Sequence, residues 1–86
     1  MTNTTAAIET ARTNIETIAF RATLPTLTCN VNRDLGQAMN CYYAAAGESV
    51  VVMEAGCSFS PVRTMSRPEA RAHWAGYMAR GYTRTN

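Results

Sequence analysis

The side chains suited to acid–base or nucleophilic work are few, and their spacing limits what they can do. His73 is the single histidine, and Cys57 or a serine of the Ser58–Ser60 stretch would be the nucleophile it serves. No third group stands at a spacing that would orient the imidazole. Glu69 precedes His73 by one helical turn, so the simpler expectation is a Glu–His pair on the flank of a helix. The three cysteines, Cys29, Cys41 and Cys57, would need His73 to complete a Cys₃His set. Structural zinc sites present ligands in close pairs such as Cys-x-x-Cys, and this sequence has none. The thiols read instead as small, reduced, buried side chains. Glu9, Glu16, Asp34, Glu48 and Glu54 are scattered, and Gly47, Gly56, Gly76 and Gly81 suit turns, caps or packing rather than a phosphate-binding loop. The expectation is a non-catalytic protein with no metal and no cofactor.

Charge is more informative. Residues 1–59 hold three Arg against five acids, a balance of −2, while residues 60–86 hold five Arg against one Glu, a balance of +4. Every positive side chain is a guanidinium, able to fork onto carboxylates or phosphates and to stack on rings. Arg63, Arg67, Arg71 and Arg80 are interleaved with Trp74, Tyr77 and Tyr82, a mixture typical of protein-interface hot spots. These four arginines are the expected partner-binding residues. The alternative is a small basic nucleic-acid-binding module, with phosphates on the arginines and bases on the rings. Ala72, Ala75, Gly76 and Ala79 form a bare strip on the same helix, which would admit a second helix backbone closely, in a homodimer or in a complex.

That helix spans Ser66 to Gly81. Ser66 and Glu69 make a capping box, Pro68 sits in the first turn, and Gly81 suits the left-handed stop. Ala70, Trp74, Tyr77 and Met78 recur at helical spacing and form the expected inward face. A first helix is expected over Thr5 to Ala22, with Ile8, Ala11, Ile15, Ile18, Ala19 and Ala22 on one face, ended by Pro25. Leu27, Cys29 and Val31 then alternate with Thr28, Asn30 and Asn32 as a half-buried strand, and Ser49 to Ala55 is a second strand of β-branched character.

Residues 37–44 fit either a strand or a helix. As a strand, with turns at Gly36 and Gly47, they complete a three-stranded antiparallel meander that two helices can cover on one face. As a helix they leave two strands pairing in parallel, a thin sheet for that geometry. The predicted architecture is therefore αβββα of the α+β class, with αβαβα as the alternative. Cys57 to Met65 is expected to be a connecting loop.

Eighty-six residues make one domain, residues 1–86, with a single modest core. No apolar run is long enough for a spanning helix, and the N-terminus shows no signal-peptide pattern, so a cytoplasmic protein without a membrane partner is expected. A strand such as Val50 to Ala55, followed by a Ser-x-x-Glu-Ala helix that carries a Trp and ends in Gly-Tyr, here Ser66 to Tyr82, resembles the layout of small phage and prophage accessory proteins, anti-CRISPR inhibitors among them. The resemblance covers the C-terminal third. It implies a compact, non-catalytic inhibitor or regulator acting in the host cytosol, which binds and blocks a protein assembly such as a defence nucleoprotein complex. An inhibitor that mimics DNA would be strongly acidic, whereas this chain is +2.

Overall fold

The computed structural model describes residues 4–32, 37–56 and 61–85. In chain order the elements are α1 (Thr4–Glu16), α2 (Ile18–Arg21), β1 (Thr26–Asn32), β2 (Gln37–Ala46), β3 (Ser49–Ala55), β4 (Arg63–Ser66), α3 (Arg67–Ala79) and β5 (Thr83–Arg84). The strands form one sheet in the order β4-β3-β2-β1-β5, and every pairing is antiparallel. Residues 37–44 are thus strand, and the α+β meander holds at its centre.

The centre is a hairpin. β2 and β3 turn at Gly47-Glu48, with Ala46 opposite Ser49 and Tyr43 opposite Val52. Gly47 has φ 61°, the conformation a type II′ turn demands at its first central position, where glycine meets no Cβ penalty. Both parities of this hairpin are apolar. Ala44, Ala46, Val51 and Met53 face α1, packing against Ala11, Ile15 and Leu24. Cys41, Tyr43 and Val52 face α3, together with Leu27 of β1. Because neither side of the central strands can face water, the two helices lie on opposite faces of the sheet, not on one.

The first helical segment is shorter than Thr5 to Ala22. α1 stops at Glu16, and Thr17 is extended, with φ −83° and ψ 125°. The Thr13 hydroxyl donates to the Glu9 carbonyl at 3.0 Å and the Thr17 hydroxyl to that of Thr13 at 3.4 Å, the local bonds by which threonine competes with helix. The break sends Ile18 outward, 76% exposed, instead of inward. Leu24 brings the chain back to the core.

The C-terminal helix begins and ends as expected. Ser66 and Glu69 form the full capping box. At the other end Gly81, with φ 98°, donates to the Met78 carbonyl and Tyr82 to that of Tyr77, the paired bonds of a Schellman motif. Beyond it Thr83–Arg84 pairs with β1 as an edge strand. Two details differ from expectation. Met78 is exposed, the inward stripe being completed by His73. Arg63 to Met65 belongs to β4 and not to a loop, because Val52, Val51 and Val50 offer Arg63, Thr64 and Met65 a free edge.

Candidate functional site

The face under α3 gathers most of the chain's polar and aromatic chemistry. Register explains how. On β2 and β3 the same parity carries Cys41 and Tyr43, Val52 and Glu54, with Cys41 opposite Glu54, while Arg63 of β4 lies opposite Val52. Across this row α3 lays His73 and Tyr77, one turn apart.

One carboxylate oxygen collects the cluster. Glu54 Oε1 accepts from Arg63 Nη2 at 2.8 Å and from Tyr77 Oη at 2.8 Å, with His73 Nε2 at 3.3 Å. The other imidazole nitrogen, Nδ1, lies 2.8 Å from Tyr43 Oη. A neutral ring protonated on Nε2 donates to Glu54 and accepts the tyrosine hydroxyl at Nδ1, whereas the other tautomer accepts at Nε2 from Arg63 Nη2, 3.3 Å away, and donates from Nδ1 to the Tyr43 oxygen. Edge-to-face packing of His73 on Tyr77, centroids 4.6 Å apart, and of Trp74 on Tyr43, 5.0 Å apart, fixes the rings further.

Burial holds His73 below its ordinary 6.5 against the pull of Glu54, with Arg63 and Arg80 adding to the lowering. Burial likewise raises Tyr43 far above 10.0, pushes Tyr77 up to about 12 and pushes Cys41 up to about 11. Near pH 7 the two phenols and the thiol are therefore held protonated and the imidazole deprotonated, so all four are neutral, and Cys41 in particular is not a thiolate nucleophile. The expected Glu69–His73 pair does not form, because Glu69 is committed to the cap and His73 points to the sheet. Cys57, Ser58 and Ser60 lie outside the described residues. Among the described residues no group of three metal-type side chains converges.

The four expected partner-binding arginines are in four different situations. Arg63 is half exposed and tied to Glu54. Arg67 forks onto the Gly47 carbonyl through Nε at 3.0 Å and Nη2 at 2.7 Å, pinning the start of α3 to the hairpin turn. Arg80 lies over the Tyr77 ring, 5.2 Å from its centroid. Arg71 is exposed and makes no hydrogen bond or ion pair to a described residue. Ala72, Ala75, Gly76 and Ala79 are all exposed on the outer side of the same helix.

Between the first half of α3 and the hairpin runs an open groove of ≈ 350 Å³. Tyr43, Val50 and Ala70 form its floor, Pro25 and Trp74 its walls, and Arg67 and Arg71 stand among its lining residues. Sequence reasoning picked out the arginines and missed the groove along with Tyr43, Val50 and Glu54. The available signal was the two-residue hairpin at Gly47-Glu48: once placed, it sets Tyr43 opposite Val52 and Cys41 opposite Glu54 on one face. Searches against protein families, curated proteins and solved structures return no significant match to the chain.

Proposed function

We propose that this protein is a non-catalytic binding module that acts on a protein partner through the α3 face. The observation that carries the reading is the groove: apolar floor and walls open to solvent beside Arg71, whose guanidinium is uncommitted among the described residues. Exposed apolar concavities next to free guanidinium groups are where interface energy concentrates. The Tyr43–His73–Glu54–Arg63 cluster supports it by holding α3 rigidly on the sheet, so that little order has to be gained on binding. The resemblance of the C-terminal third extends the proposal to an inhibitor or regulator of a nucleoprotein assembly.

The nucleic-acid alternative is less well served. Arg80 already covers Tyr77, and Arg84 lies 6.0 Å from the Trp74 ring centroid, so the rings that would stack on bases have guanidinium groups over them. Affinity capture from a host lysate, with and without nuclease, tests the reading. Capture of a protein is expected to survive nuclease and to be lost in Arg71→Glu/Arg80→Glu, whose melting curve stays close to wild type. Capture that nuclease abolishes, together with binding to random nucleic acid that falls steeply with salt, would establish the alternative instead.

A further inference from the structure

The groove is selective about what fills it. Its floor is aliphatic and aromatic, no acidic residue lines it, and two arginines one helical turn apart stand beside it. Arg67 spends Nε and Nη2 on the Gly47 carbonyl, and Arg71 makes no ion pair to a described residue, so this stretch of surface is positive without a carboxylate of its own. We propose that the groove takes a partner segment in which one or two large apolar side chains are flanked by Asp or Glu: the apolar group displaces water from Val50, Ala70 and Trp74, and the carboxylate forks onto Arg71. This rests on the protein-binding reading and specifies its partner.

Size and charge both argue for that occupant. A volume of ≈ 350 Å³ is at the small end of ligand sites, which run from about 300 to 1,000 Å³, and suits an anchor side chain rather than a whole helix. A bare carboxylate would gain little at an exposed arginine. The same carboxylate beside a seated apolar anchor is partly shielded from water, which strengthens a bidentate pair. A nucleotide, the other ligand that joins a flat apolar body to an anion, finds Tyr43 only 7% exposed and Arg84 over the Trp74 ring.

Trp74, the chain's single tryptophan, lines the groove and reports on it. The probes are a short peptide with a central Phe-Leu flanked by Asp and Glu, the same peptide with Lys and Arg flanks, the acidic peptide with Ser-Ser at its centre, and a thymidine oligonucleotide. The Phe-Leu acidic peptide is expected to shift Trp74 emission saturably, and the other three are not. Arg71→Glu should weaken that peptide about tenfold and admit the basic one, while Arg12→Glu, on the helix of the opposite face, should leave both unchanged. Failure of the acidic peptide to bind, equal binding of the basic or Ser-Ser peptide, or a response to the oligonucleotide alone would overturn the proposal. Capture of a partner scored in parallel separates the two levels. Capture that persists while the peptide fails sinks the groove proposal and spares the binding-module reading, whereas loss of both sinks the reading itself.

Discussion

His73 is the residue the sequence offers first for acid–base work, and the fold holds it between a tyrosine and a carboxylate. Its ring is satisfied at both nitrogens, by Tyr43 and by Glu54, and burial first, then Arg63 and Arg80, hold it below 6.5. Between 6.5 and the lower folded value the unfolded chain binds more protons, so stability rises with pH across that interval and is lost as pH falls through it. At the alkaline end the signs reverse. Cys41 rises from 9.0 to about 11 and Tyr77 from 10.0 to about 12, so their contribution is whole below the first value of each pair and lost as pH climbs through the second. Denaturant midpoints measured against pH are expected to show a plateau between 6.5 and 9.0. His73→Gln should flatten the fall just below 6.5 relative to its own plateau; an unchanged acid limb would show that His73 is not the group responsible. The same burial makes Cys41 inert. Iodoacetamide at neutral pH is expected to leave Cys41 unmodified in the folded protein and to label it in denaturant, as peptide mapping would show.

Elements were legible where their signals are local. α3 carries its start and stop in adjacent residues, and the structure uses both: Ser66→Ala is expected to cost about 1 kcal/mol in a denaturant melt, and Gly81→Ala a similar amount, because φ 98° strains any residue with a Cβ. A Ser66→Ala variant as stable as wild type would mean that water replaces the cap without loss. The inner strands were legible from alternation and from the turn glycine Gly47; the turn expected at Gly36 lies outside the described residues. What escaped was set by partners distant in sequence. β4 and β5 are only four and two residues long, mostly exposed, and exist because β3 and β1 would otherwise present bare edges; no local pattern announces them. Two-sided burial of the hairpin was written in the unbroken run Val50-Val51-Val52-Met53, which a sheet covered on one face would not need. The helix break at Thr17 was hidden because Ile18, Ala19 and Ala22 continue the periodicity across it, while threonine back-bonding onto the Glu9 and Thr13 carbonyls only weakens the helix there. The Tyr43–His73–Glu54 cluster required the register of two strands and a helix rotation at once. Its members were visible as residues but not as neighbours.

At the scale of the whole molecule the two faces differ in kind. The α1 face is lined by small side chains, with Ala11, Ala44 and Ala46 in one buried cluster, and where α1 ends the sheet turns polar: Thr28 donates to Asn40 at 2.7 Å and lies 3.0 Å from the Thr85 hydroxyl. The α3 face is aromatic and basic, with Ala72, Ala75, Gly76 and Ala79 bare on its outer surface. Gly76 decides whether that strip meets water or another helix. A Cβ built there meets nothing within 4 Å in the single chain, and glycine in an exposed helix interior is worse than alanine by roughly 0.5–1 kcal/mol. Gly76→Ala is therefore expected to raise the melting midpoint, with a value independent of protein concentration. If instead the strip is packed against a second α3, the wild-type midpoint will rise with concentration, the added methyl will force the backbones apart, and Gly76→Ala will lower the midpoint and shift light scattering from dimer to monomer. Ala75→Arg supplies the second arm, since an arginine on an exposed strip changes the isolated fold little but cannot be seated between two closely packed helices. Gly76→Ala moves stability in opposite directions under the two arrangements, and Ala75→Arg is near neutral in one and disruptive in the other, so melts at two concentrations with light scattering separate a solvated face from a self-association face.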